Sequence, residues 1–181
     1  MLFRSPVLYA RLTLPGGRTL HTINVHLRAP TAAFIPGGKL DAFSWASCGQ
    51  WAEGFYLSAL KRAGQALEAR LLIDSLFDRD AEALVAVLGD FNADAREVPV
   101  RTLLARPEDT GNPALAARAL FPVDETVVRH HTVIHAGHRV TLDHILVSRA
   151  LLRALVRAEV HNRDLRDETV AAEGVPDSFH A

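Results

Sequence analysis

The tetrad Gly89-Asp90-Phe91-Asn92 holds the residues of this chain best suited to chemistry. Asp90 and Asn92 offer oxygen donors of the kind hard divalent cations prefer. A carboxylate in that place can also orient or deprotonate an attacking water. The same residue types make an ordinary strand-ending turn, so the tetrad gains meaning only from its company. His26 stands at the exit of the alternating segment Thr19 to Leu27, where it can donate to a phosphate oxygen or transfer a proton. A solvent-facing strand histidine is the plain alternative, and it is the reading given to His21. Asp143 shares a strand face with Ile145 and Val147, where a carboxylate costs desolvation unless a histidine or arginine compensates it. A structural ion pair would account for it equally well. His144 faces the other way and reads as a cap on the sheet. At the C-terminus Ser178 and His180 flank Phe179, a position that by itself suggests fraying.

These residues need strands to hold them. Val7 to Leu14 and Thr19 to Leu27 read as a hairpin joined by Pro15-Gly16-Gly17. Alternation puts Ile23, Val25 and Leu27 on one face and Thr22, Asn24 and His26 on the other. Residues 28 to 50 form a long loop, a length that usually means function or mobility. A helix over Ala52 to Phe77 presents Leu57, Leu60, Gly64, Leu67 and Leu71 inward and Lys61, Arg62, Glu68 and Arg70 outward. Leu84 to Leu88 is continuously apolar, as in a strand covered on both faces, and it delivers Asp90 at its end. A short helix opens near Pro99. Residues 105 to 126 read as irregular, with a helical piece over Ala114 to Leu120. Thr132 to His135 and Arg139 to Ser148 are strands across a turn at Ala136-Gly137. A short helix over Ala150 to Leu155 and a strand over Val156 to Val160 follow. Strands with interposed helices, and no repeats or internal boundary, predict one α/β sandwich domain spanning residues 1–181.

The chain of 181 residues is 49% hydrophobic and 23% charged, ordinary globular usage. A net charge of −1 leaves no bulk field to attract nucleic acid, which would need a local basic groove. The lone Cys48 has no catalytic pattern around it, excludes an internal disulfide and fits a reducing compartment. No stretch is apolar enough to cross a membrane, and the N-terminus carries no signal-peptide pattern. A cytoplasmic protein without membrane association is expected.

Taken in order, Asn24-Val25-His26-Leu27, Gly89-Asp90-Phe91-Asn92, Leu142-Asp143-His144-Ile145-Leu146-Val147-Ser148 and Ser178-x-His180 resemble the endonuclease/exonuclease/phosphatase superfamily, the deoxyribonuclease I-like proteins. The resemblance implies a four-layer α/β sandwich with its site at one edge of the sheets. It implies hydrolysis of a phosphoester by in-line attack of water, dependent on magnesium or manganese. Carried over by position, His26 contacts the scissile phosphate, Asp90 orients or deprotonates the water, and Asn92 holds phosphate or metal. Asp143 pairs with His180, which stabilises the phosphoryl oxygens. Asp90 and Asn92 are then the metal contacts, and Asn24 and Arg28 the substrate contacts. Such chemistry asks mainly for positioning, a metal and donors aimed at the equatorial oxygens.

Two departures stand against the pattern. The family's metal-contacting asparagine and its principal metal-binding glutamate lie on strands before the one matching Val7 to Leu14, and no glutamate precedes Glu53 here. At the other end Ser178-Phe179-His180 has phenylalanine where the family has aspartate. Asp177 is displaced by two residues, about 6–7 Å in an extended segment. The sandwich is therefore expected to be incomplete at its N-terminus, with exposed sheet edges that favour self-association. Weak or absent hydrolysis by this polypeptide alone follows. A non-catalytic binding protein that keeps the sandwich is the alternative. Zinc hydrolysis by His130, His131, His135, His138 and His144 is a third reading, although their spacing matches no common zinc motif. The expected substrate is a phosphodiester, DNA or RNA by preference. Trp45 and Trp51 are candidates to stack on bases, or simply to pack the long loop onto the helix.

Overall fold

The computed structural model describes residues 7–127 and 131–169. The hairpin forms as expected: β1 (Leu8–Thr13) runs antiparallel to β2 (Thr19–His26). From β2 the chain crosses through the loop of residues 28–47 and helix α1 (Cys48–Phe77) into β3 (Leu84–Asp90). The crossover lets β3 lie parallel to β2, a pairing no tight turn can make. After α2 (Val98–Leu104) and the short α3 (Pro107–Thr110) comes β4 (Leu120–Pro122), then a small hairpin of β5 (Val133–His135) and β6 (His138–Val140). The strand β7 (Asp143–Ser148) and the single turn α4 (Arg149–Leu152) follow. The main sheet has the order β1-β2-β3-β7-β4, with β7 antiparallel to both its neighbours. The fold is α/β, as anticipated. Among the described residues it comprises one main sheet with a helical layer on one face.

Ser47 caps α1, its hydroxyl accepting the Gln50 N–H at 3.2 Å. The face that α1 turns to the sheet is not the leucine stripe. Leu60, Leu67 and Leu71 are exposed, and Arg62 and Arg70, expected outside, are buried. Small residues explain the reversal. Gly54, Ser58, Ala66 and Ala69 face inward, and at Gly54 a Cβ would stand 2.4 Å from the Ala33 carbonyl oxygen. The Ala33 N–H donates to the Gly54 carbonyl at 2.8 Å, so the close approach fastens the long loop to the helix. Arg70 is satisfied in place by a two-point contact with Asp74 and by the carbonyls of Leu103 and Arg118. Arg62 reaches Glu97 at 3.5 Å.

The core lies between this helical layer and the sheet. Ile23, Val25, Val85, Val87 and Leu146 pack with Phe91 against Ala66, Ala69, Ile73, Leu103 and Leu104. The opposite face presents Ala86, Leu88, Ile145 and Val147 to a groove of about 910 Å³. Residues 156–160 are not a strand as expected. They have no ladder partner and form one wall of that groove, with Val156 almost fully exposed. The anticipated strand over 139–148 is broken at Thr141-Leu142. The N–H groups of Leu142 and Asp143 both donate to the Thr132 hydroxyl at 3.1 Å, which diverts the chain from the hairpin into the main sheet. The helical piece expected over 114–120 is a 3-10 turn over Pro113–Arg118, and β4 follows it.

Candidate active site

Three neighbouring strands end at one rim. In the register of the sheet His26 is opposite Asp90, and Asp90 is opposite Asp143. Since paired residues share a face, the three side chains stand in one row across β2, β3 and β7. The row lies on the side of the sheet away from α1. Strand alternation alone put His26 and Asp143 on their faces; the pairing brings them to opposite sides of Asp90. Asn24 lies two residues back from His26 on the same face and is exposed.

The approach of β2 to β3 depends on one glycine. Gly89 has φ of +128°, and a Cβ there would lie 2.1 Å from the Val25 carbonyl oxygen. Only glycine permits this contact, and it sets the spacing of His26 and Asp90. The His26 Nε2 lies 3.5 Å from Asp90 Oδ2, with the imidazole largely exposed and the carboxylate mostly covered. The Leu27 N–H donates to the Asp90 carbonyl at 2.9 Å, which continues the pairing past the last strand residue.

Asn92 closes the site from below. Its backbone N–H donates to Asp90 Oδ1 at 2.7 Å, an Asx-turn. Its side-chain amide donates to Asp90 Oδ2 at 3.1 Å and to the Leu27 carbonyl at 3.0 Å. The residue sits at φ of +48°, a left-handed conformation that asparagine tolerates better than most. With its amide hydrogens committed, the amide oxygen is the atom of Asn92 left for a ligand.

Between Asp90 and Asn92 the Phe91 side chain turns inward and is fully buried. The His144 ring meets it edge-on at 5.2 Å between centroids. His144 is therefore no surface cap. It is buried, with Nε2 bonded to the Ala93 carbonyl at 2.9 Å and Nδ1 3.5 Å from Asp124 Oδ2. Burial opposes its charged form, but the Asp124 carboxylate and the Ala93 carbonyl outweigh it, and its pKa is raised. The Asp124–His144–Ala93 link ties the loop carrying Asn92 to β7. Sequence reasoning missed it because Asp124 lies 20 residues from His144 in a segment read as irregular. The dipeptide Asp143-His144, whose alternation faces one residue inward, was the signal for its buried member.

The remaining predicted positions separate. Arg28 turns toward α1, its Nε donating to the Ser58 hydroxyl at 3.3 Å and its backbone N–H to Gln65 at 2.8 Å. It roots the long loop one residue past Leu27. Trp45 packs toward the helix with the Lys39 ammonium 5.2 Å from its ring, while Trp51 stacks on Phe55 and is half exposed. His180, and with it the expected Asp143–His180 pair, lies outside the described residues, as do Ser178 and His130. His131 contacts Asn162, and His135 pairs with Glu168. Among the described residues no group of three or more His, Cys, Asp or Glu could hold a metal ion, so the described histidines make no zinc cage among themselves.

A magnesium-type ion does not need such a cage. It keeps several waters and is commonly held by one or two carboxylates together with substrate phosphate. Asp90 and the Asn92 amide oxygen, two hard donors side by side at an open rim, fit that demand as partial ligands. Among the described residues no helix is long and apolar enough to cross a membrane.

No curated protein matches the sequence. Solved structures resemble it at low identity, among them the following three. The human Nocturnin catalytic domain with bound sulfate anion is 19% identical (TM-score 0.41), covering 75% of this chain and 37% of that one. Sphingomyelinase C from Streptomyces griseocarneus is 17% identical (TM-score 0.40), covering 78% and 41%. The beta toxin from Staphylococcus aureus is 15% identical (TM-score 0.37), covering 78% and 42%. The chain thus spans about two-fifths of the length of the structures it matches. The family model for Endonuclease/Exonuclease/phosphatase proteins matches residues 2–165, nearly the whole sequence, and the chain belongs to that family.

Proposed function

We propose that this chain carries the phosphate-binding and water-activating part of a metal-dependent phosphodiesterase that acts on nucleic acid. The observation that supports it is the row of His26, Asp90 and Asp143 across three adjacent strands, with Asn92 bonded beneath Asp90. Among the described residues the His26 imidazole is held only by its contact with Asp90, and it stands in solvent, so its ring is placed to donate to a non-bridging phosphate oxygen. Asp90 is fixed by two donors from Asn92 and can orient a water behind the phosphorus. As the water oxygen bonds to phosphorus, its proton passes to the Asp90 carboxylate. The P–O bond on the opposite side breaks, and the departing oxygen takes a proton from solvent. A magnesium or manganese ion bound at Asp90 and Asn92 would neutralise charge developing on the phosphoryl oxygens. Asp143, next in the row, would orient a further donor toward the same oxygens.

Hydrolysis of a supercoiled plasmid and of a short RNA, in magnesium and in manganese, tests the proposal. Asp90→Ala should reduce cleavage by at least about a hundredfold, the lower range for loss of a general base. Equal cleavage by the two proteins would remove Asp90 from the chemistry. Metal and phosphate binding that persists without any hydrolysis would favour the non-catalytic alternative.

A further inference from the structure

A second polar pocket of about 610 Å³ opens beside the row. Its lining comes from three segments and includes Asp94, then Arg139 and Thr141, then Asn162 and Arg163. Asp94 follows Asn92 by two residues and Thr141 precedes Asp143 by two, so both segments continue from the candidate site. The pocket therefore lies within two residues of the candidate site along both chain segments.

The pocket brings two guanidinium groups to one space without neutralising them. Neither Arg139 nor Arg163 has a carboxylate partner within 4.0 Å among the described residues, in contrast to Arg153 and Arg157, which pair with Glu82 and Glu159. The one carboxylate in the wall, Asp94, accepts the Arg96 N–H at 3.1 Å on Oδ1. The frame is stiff. Asp167 accepts the N–H groups of Ala136 and Gly137, at 3.0 and 2.5 Å, and His135 pairs with Glu168. Four backbone and side-chain donors to Asp167, including Thr169, hold its pKa down to about 2, so this clamp stays charged at any ordinary pH. The segment bearing Arg163 is thereby strapped to the hairpin bearing Arg139. Two guanidinium groups that line one polar pocket, without carboxylate partners among the described residues, favour an anion with several acceptor oxygens and oppose a cationic headgroup.

Resting on the proposed phosphodiesterase reading, we infer that Arg139 and Arg163 form a subsite for a second phosphate of the substrate, the one adjacent to the scissile phosphate along a nucleic acid strand. A local basic pocket of this kind also supplies what the near-neutral chain lacks in bulk charge.

Binding experiments in EDTA, where no turnover occurs, separate the two sites. Sodium pyrophosphate should move the Arg139 and Arg163 Nε–H signals in an NMR titration to a saturating end point. Signals that stay fixed would overturn the subsite, whatever happens at the row. The dinucleotide pTpT, with its extra 5′-phosphate, should bind at least about fivefold more tightly than TpT. The double variant Arg139→Gln/Arg163→Gln, both exposed positions, should erase that difference and leave TpT affinity unchanged. An advantage of pTpT that survives in the double variant, or is absent from the unaltered protein, would overturn the inference. His26→Ala should weaken TpT and leave the pyrophosphate response intact. A normal pyrophosphate response with TpT affinity indifferent to His26 would instead refute the phosphodiesterase reading and leave the subsite standing.

Discussion

Replacing Gly89 by alanine should do more damage than any other single-methyl change at this site. Two costs add. The backbone at Gly89 has φ of +128°, a region closed to L side chains, and forcing one there costs about 1–3 kcal/mol. The new Cβ would also stand 2.1 Å from the Val25 carbonyl oxygen. A real contact needs a little over 3 Å, so β2 and β3 must part by about 1 Å, comparable to overpacking at about 1–3 kcal/mol. The sum, about 4 kcal/mol, corresponds to a fall in melting temperature of roughly 8–16 °C for a chain of this size. The control is Gly137→Ala. Gly137 has φ of +78° but open space around it, so only the conformational cost applies, about 1–2 kcal/mol. Urea unfolding followed by circular dichroism measures both. The distortion at position 89 falls between His26 and Asp90, so phosphate affinity should also be lost in the alanine variant. A Gly89→Ala protein within 1 kcal/mol of the parent, or no less stable than the Gly137 variant, would refute the close-approach reasoning.

Further outcomes follow from the neighbouring contacts. Asn92→Gly should keep stability within about 1 kcal/mol, because relief of the left-handed backbone offsets the lost amide bonds, whereas Asn92→Ala should cost about 1 kcal/mol more; both should abolish metal binding in a calorimetric titration. The raised pKa of His144 means that its ion pair with Asp124 stabilises the fold fully below the unfolded value of about 6.5 and is lost as pH rises through the folded value. Thermal stability should therefore decline as pH rises above about 6.5, and Asp124→Asn should flatten that decline; a parent and variant with the same pH profile would disprove the link. Arg62 is buried, and among the described residues its Nε and Nη1 lack hydrogen-bond partners and only the partly exposed Glu97 stands opposite. Arg62→Met should be neutral or stabilising in urea unfolding, since a well-packed apolar side chain often replaces a buried ion without loss; a loss above about 2 kcal/mol would show that the cation is needed.

The parts of the site that could be read from the chain are those governed by short-range rules. Period-two alternation placed His26 and Asn24 on one face of β2 and Asp143 with Ile145 and Val147 on one face of β7. The Gly-Asp-x-Asn spacing marked the end of β3. What alternation does not contain is register, and the His26–Asp90–Asp143 row exists only because β2 and β7 both pair with β3. The faces of α1 were misread for a related reason. Leucines at helical spacing normally mark the buried side. Here a close loop contact at Gly54 selects small residues there instead, while the partners that make Arg70 tolerable inside, Leu103 and Arg118, come from 33 and 48 residues away. Thr132, whose hydroxyl breaks the strand expected over 139–148, acts across 10 and 11 residues. Each such contact is specified by tertiary geometry that no local pattern encodes.

The central claim is that one small volume, between His26, Asp90 and Asn92, receives both the metal and the phosphate. Substoichiometric manganese, a paramagnetic stand-in for magnesium, tests it in the presence of inorganic phosphate by NMR. The account predicts that the Asn92 side-chain amide and the His26 ring protons broaden first, and that Asp90→Asn abolishes the effect. Broadening confined to the His135–Glu168 pair, or unchanged by the substitution at Asp90, would contradict it.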